Sequence, residues 1–223
     1  MNLSALPHGG LLYIRAPLHF PRSLLLPLIS YLIMFNLYII SGCNGAGKTT
    51  ASYTILPEIL NCREFVNADN IAAGLSPFNP GSVAVAAGRT MLNRIQELME
   101  DQADFAIETT LSTRSYVSLI KQAHSLGYRV SLLYFWLSSP EVAIGRVAKR
   151  VSKGGHDIPA DTIIRRYYRG INNLYNLYMP ICEEWALVNN TDLAPALIAK
   201  SDRVGKTIFN NELWESIKND GHG

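Results

Sequence analysis

Residues 42–49 read Gly-Cys-Asn-Gly-Ala-Gly-Lys-Thr, a complete match to G-x-x-x-x-G-K-[ST]. No other stretch narrows the possible folds as much, because this motif works only between an apolar strand and the helix that follows it. The sequence supplies both, a strand at Leu37–Ile40 and helical spacing from Lys48 to Leu60. Gly42, Gly45 and Gly47 permit the tight turn and let backbone N–H groups converge on phosphate oxygens. The helix N-terminus adds a favourable dipole. Lys48 is expected to reach the β- and γ-phosphates of ATP, and the Thr49 hydroxyl to coordinate Mg²⁺. Asn44, Ala46 and Thr50 complete the expected nucleotide contacts. Cys43 occupies a position the motif leaves free, so it lines the loop without a redox role.

Beyond Leu37, apolar β-rich runs alternate with helix-period segments, the pattern of a parallel sheet with crossover helices. Further strands are expected at Glu64–Asn67, Asp104–Glu108, Arg129–Leu137 and Trp185–Val188. Helices are expected at Gly81–Glu100, Thr113–Leu126, Pro140–Val151 and Pro159–Met179. In the last, Ile163, Tyr167, Ile171, Leu174 and Tyr178 recur at helical spacing and face the core. Ser139-Pro140-Glu141 reads as an N-cap, a proline at the first helical position and an acid complementing the dipole. A hairpin around Val204-Gly205 and a short helix holding Leu213 and Trp214 end the chain. The expected class is α/β, a P-loop NTPase fold whose parallel sheet is flanked by helices with a small helical lid.

Composition bounds the partners. The 223 residues are 48% hydrophobic and carry a net charge of +2, without the Lys/Arg clusters of a nucleic-acid binder. Three unpaired cysteines, Cys43, Cys62 and Cys182, fit a reducing cytoplasm better than a disulfide framework or a zinc site. Residues 1–35 are read as an N-terminal extension and 36–223 as the kinase domain. Ser23–Phe35 is almost wholly apolar and resembles a lipoprotein signal in shape. Cleavage before Cys43 would remove the strand and the first glycine of the phosphate loop, and Pro27 interrupts a continuous helix. No stable membrane association is expected. Initiation at Met34, directly before the first strand, is the sharper reading of this region.

Two acids should share the edge where parallel strands end. Asp69, after the second strand, can accept the proton of an attacking hydroxyl and align it on the γ-phosphate; its alternative is an N-cap for the segment Asn70–Gly74. Glu108 closes the third strand and can orient an acceptor or a Mg²⁺-bound water, or serve as an acid at the next helix start. Arg146 and Arg150 share one helix face, and Arg165 and Arg169 repeat that spacing beside Arg166. The Gly154-Gly155 segment between these helices reads as a lid whose arginines, Arg150 and Arg165 foremost, neutralise charge during phosphoryl transfer; a solvated basic face is the alternative.

Together these pieces resemble the zeta toxin family of P-loop kinases over about Leu37–Asn190. The matching elements are the phosphate loop, Asn67-Ala68-Asp69, Glu108-Thr109-Thr110-Leu111, and Gly154-Gly155-His156-Asp157-Ile158-Pro159 followed by Arg165-Arg166-Tyr167. The resemblance implies phosphorylation of the sugar 3′-hydroxyl of UDP-N-acetylglucosamine. It implies Asp69 as base, Lys48 and Thr49 on ATP·Mg²⁺, Glu108 and Thr110 near the acceptor, and lid arginines stabilising transfer. The family pattern Glu-x-Thr-x-Arg places an arginine where this chain has Ser112, the nearest being Arg114. An antitoxin partner is therefore not implied.

The expected function is ATP-dependent phosphorylation of a hydroxyl on a small metabolite. The alternative is a P-loop ATPase or nucleotide-binding switch without an acceptor. Asn189-Asn190-Thr191-Asp192 follows the last expected strand as a guanine-reading loop would, but lacks the lysine such loops carry.

Overall fold

The computed structural model describes residues 34–221. The expectations for the N-terminal extension, signal resemblance included, lie outside the described residues, apart from its end at Met34 and Phe35. Chain order runs β1 (Phe35–Gly42), α1 (Lys48–Thr54), β2 (Glu64–Val66), α2 (Ala68–Leu75), α3 (Ala84–Glu100), β3 (Phe105–Thr109) and α4 (Tyr116–Ser125). It continues with β4 (Tyr128–Trp136), α5 (Pro140–Val151), α6 (Ala160–Asn173), β5 (Glu184–Asn189), β6 (Ala196–Asp202), β7 (Gly205–Ile208) and α7 (Asn211–Asp220).

The strands form one seven-stranded sheet in the order β2-β3-β1-β4-β5-β6-β7. From β2 to β5 all neighbours run parallel; β6 and β7 close the edge antiparallel. β1 lies between β3 and β4, with Leu37 opposite both Phe105 and Val130. That central place explains its run of apolar residues: Leu37, Ile39 and Ile40 are fully buried. Because the five parallel strands point one way, their carboxyl ends deliver Gly42, Asn67, Glu108, Leu137 and Asn190 to one edge.

Two expected helices are interrupted. The segment from Lys48 ends its α-helix at Thr54 and continues as a π-turn, Ile55–Ile59, around Pro57, which has no N–H to donate. The segment from Ala160 likewise passes from α6 into a π-turn, Leu174–Tyr178, and a short 3₁₀ turn ending at Ile181. The 3₁₀ turn Pro80–Val83 precedes α3. Ser139 caps α5 through its hydroxyl, which accepts from the Val142 N–H, with Pro140 at the first position. Between α5 and α6, residues 152–159 are turns and irregular chain rather than a further helix. The terminal hairpin turns between Asp202 and Gly205, and Asn210 caps α7. Trp214 of α7 stacks on Trp185 of β5 with ring centroids 5.6 Å apart, fastening the last helix to the sheet.

Candidate active site

The loop between β1 and α1 holds Gly42, Gly45 and Gly47 at positive φ. At Gly42 the requirement is steric as well, since a Cβ there would lie 2.2 Å from the Phe135 carbonyl oxygen. The first α1 bond runs from the Ala51 N–H to the Gly47 carbonyl. Ahead of it, the N–H groups of Gly45, Gly47, Lys48 and Thr49 have no partner among the described residues. Unpaired amides at the mouth of a helix suit a polyphosphate. Asn190, just past β5, braces the loop by donating from Nδ2 to the Ala46 carbonyl at 2.7 Å. Arg146 of α5 donates to the Thr191 carbonyl at 2.7 Å, tying that brace to the next helix. Thr50 is exposed on the first turn.

Glu108 organises the floor. Its register partner in β1 is Ile40, two residues before the loop. One carboxylate oxygen lies 3.6 Å from the Lys48 ammonium. The other accepts from the Thr49 hydroxyl at 2.8 Å and from Asn67 Nδ2 at 2.7 Å. Lys48 also donates to the Cys43 carbonyl at 3.0 Å. Lys48 is buried and the Glu108 side chain only 9% exposed, and each charge has hydrogen-bonding or ionic partners, which is what keeps a largely desolvated pair from being costly. A hydroxyl and a carboxylate 2.8 Å apart are also the hard oxygen donors Mg²⁺ takes alongside nucleotide phosphates.

The N-cap of α2 is Asn67, whose Oδ1 accepts from the N–H groups of Asp69 and Asn70. The capping alternative for Asp69 is thereby corrected, because Asn67 performs that work two residues earlier. Asp69 sits in the first turn, exposed, and no hydrogen bond or ion pair engages its carboxylate among the described residues. It lines a cleft of about 320 Å³ together with Asn44, Lys48, Glu108, Thr110, Ser112 and Arg166.

The arginines divide by helical phase. Arg166 reaches the phosphate loop, donating to Asn44 Oδ1 at 3.2 Å. Arg165, one position earlier, is exposed and donates to the Thr162 hydroxyl at 3.4 Å. Arg150 donates to the His156 carbonyl at 2.7 Å and so holds the turn between α5 and α6. Neither Arg150 nor Arg165 lines the cleft in this conformation, whereas Arg166 does. Arg166 could have been chosen from the sequence by phasing α6 on its apolar stripe: Ile163 and Tyr167 are buried, and Arg166 flanks them. Asn190 offered no such signal.

Burial pushes the Cys43 thiol up to about 11, against a partial lowering by Lys48. At neutral pH it is protonated, consistent with a packing role.

Backbone amides gathered at the end of a central parallel strand, with an acid from the neighbouring strand beneath them, define a P-loop nucleotide site. The particular family follows from comparison: residues 36–179 match the zeta toxin family, and the chain belongs to it. An uncharacterized protein of Haemophilus influenzae is 30% identical over 126 residues, covering 56% of this chain and 88% of that one. Among solved structures, the complex of AvrRxo1-ORF1 with AvrRxo1-ORF2 and ATP superposes with a TM-score of 0.68 at 18% identity, covering 86% of this chain. This chain spans 65% of that one's length. The PezAT toxin–antitoxin system of Streptococcus pneumoniae superposes with a TM-score of 0.58 at 16% identity, covering 85% of this chain and 84% of that one. Among the described residues no helix is long and apolar enough to cross a membrane.

Proposed function

We propose that the protein transfers the γ-phosphate of ATP to a hydroxyl of a small metabolite, with Asp69 as general base. One observation carries this reading: a carboxylate without partners among the described residues lines the same cleft as the phosphate-loop lysine and an arginine. Family membership adds to it, and the crystal structure of the AvrRxo1-ORF1:AvrRxo1-ORF2 complex contains ATP. In-line attack needs an oriented nucleophile, a base for its proton and positive charge around the transferring group.

Each need has a residue. The unpaired loop amides and Lys48 would hold the phosphates, with Lys48 exchanging its contact with the Cys43 carbonyl for phosphate oxygen. Mg²⁺ bound with the nucleotide would be held by Thr49 and Glu108, neutralising phosphate charge. Asp69 would take the acceptor proton at its carboxylate. Arg166 would supply cationic stabilisation from α6. Thr110 and Ser112, whose hydroxyls lie 2.9 Å apart on the cleft wall, would contact the acceptor. UDP-N-acetylglucosamine is the first acceptor to assay, on the strength of the family resemblance.

The test is incubation with Mg·ATP and a hydroxyl-compound panel containing UDP-N-acetylglucosamine, read by the mass of phosphorylated product. Asp69→Asn should retain ATP binding and slow transfer about 10²–10⁴-fold, the usual worth of a positioned base. Transfer near the parent rate in that variant would remove Asp69 from the chemistry. ATP consumption unaffected by any acceptor would favour an ATPase.

A further inference from the structure

The phosphate loop is held from behind by a residue that lies beyond the stretch 36–179 matched to the family. Asn190, directly after β5, donates from Nδ2 to the Ala46 carbonyl at 2.7 Å. Its own position is set by other contacts. The Asn190 N–H donates to the Trp136 carbonyl at 2.9 Å, at the end of β4. Thr191, the next residue, is fixed at three points. Its hydroxyl accepts from the Ser138 N–H at 2.9 Å, its carbonyl accepts from Arg146 at 2.7 Å, and its N–H donates to Asn189 Oδ1 at 3.0 Å. None of these contacts involves the loop. The sheet and α5 therefore place Asn190, and the loop conforms to it.

Asn190 fixes the direction of one peptide group. A trans peptide is planar, with its C=O and N–H on opposite sides. The Ala46 carbonyl points at Asn190, so the Gly47 N–H points away from it, toward the hollow of the loop, and has no partner among the described residues. Gly47 alone does not enforce this orientation. It lies at φ 83°, and glycine populates both signs of φ, so the peptide before it can turn over at little cost. Reversed, that peptide would present a carbonyl oxygen to phosphate in place of a donor. Glycine also admits the brace, since a Cβ at Gly47 would lie 2.7 Å from Asn190 Nδ2. At Gly45 the loop is pressed against α5, where a Cβ would lie 2.8 Å from the Ala143 carbonyl oxygen. Between α5 and Asn190 the loop amide is oriented before any nucleotide arrives, which spares the site that reorganisation.

We propose that Asn190 is a positioning residue for the nucleotide phosphates, holding the Ala46–Gly47 peptide in the orientation that offers the Gly47 N–H and excluding the reversed one. This role rests on the nucleotide reading above.

The experiment is calorimetry on the full chain in magnesium, with ATP and, separately, with tripolyphosphate. Asn190→Ala should bind each about 10-fold more weakly than wild type, the order expected for loss of an N–H bond to a charged group. Tyr128→Phe removes a hydroxyl bonded to the Leu98 and Ala103 carbonyls, away from the loop, and serves as the stability control. It should lower the unfolding midpoint and leave both affinities unchanged, which is also what a merely structural Asn190 would do. Undiminished affinities in Asn190→Ala, or an equal loss in Tyr128→Phe, overturn the proposal. A loss confined to ATP would assign Asn190 to the base and overturn it as well. A second measurement needs no variant: in wild type the Asn190 side-chain amide protons should exchange slowly with water, with and without Mg·ATP. Exchange as fast as that of an exposed asparagine in the nucleotide complex overturns the proposal. A folded wild type that binds neither ligand sinks the nucleotide reading itself, whereas wild type and Asn190→Ala binding both alike sinks this role alone.

Discussion

Asn67 does two jobs with one amide. Its oxygen caps α2 and its nitrogen holds Glu108, so a single side chain couples the start of a helix to the floor of the nucleotide site. Asn67→Ala should destabilise the protein by about 1–3 kcal/mol, combining a lost cap with a hydrogen bond removed from a partly buried carboxylate. Asn67→Asp keeps the capping oxygen but sets a second carboxylate against Glu108. Denaturant midpoints should therefore order wild type above both variants; an Asp variant as stable as wild type would show that the Glu108 contact contributes nothing. At this scale Lys48 and Thr49 were legible because the motif that names them is contiguous. Arg166 was not distinguished from Arg165 by the four-residue spacing alone; the apolar stripe of α6, with Ile163 and Tyr167 buried, supplies the phase that separates them.

At the scale of elements, strand existence followed from apolar runs, while ends followed from hydrogen bonds the sequence does not display. β1 extends to Phe35 and Gly42 because both pair with β4, beyond the apolar run Leu37–Ile40. The helix expected to run from Lys48 to Leu60 changes to a π-turn at Ile55, because Pro57 removes a donor that periodicity does not register. The last helix was legible as an element, but its docking was not. Trp214 is buried, stacks on Trp185 and meets Tyr175 at 5.1 Å between ring centroids. Trp214→Ala should cost about 3–5 kcal/mol. Limited proteolysis should then cut first within residues 209–221, whereas an unchanged cleavage pattern and midpoint would show that α7 is not held by this contact.

For the molecule as a whole, the parallel sheet places loop, acids and brace on one edge, and its core buries ionisable hydroxyl and thiol groups in their neutral forms. Burial raises Cys43 to about 11, Tyr128 to about 12 and Tyr178 to about 12. In the unfolded chain the thiol and phenols ionise nearer 8.5 and 10. The unfolded state therefore releases these protons first as pH rises. Their contribution is complete at neutral pH, starts to fall near pH 9 and is lost as pH climbs through 11–12. The unfolding midpoint should be level from pH 7 to about 8.5 and then decline; a midpoint rising across pH 9–11 would contradict this burial.

The central claim is that amides at the head of α1, with Lys48, hold a triphosphate. Calorimetric titration of the full chain with ATP in magnesium tests it most directly. The account predicts one site per chain, weakened at least about tenfold in Lys48→Ala, the loss of a charge-assisted contact to phosphate. A folded wild-type protein that binds no ATP, or a Lys48→Ala variant that binds it equally well, would contradict it.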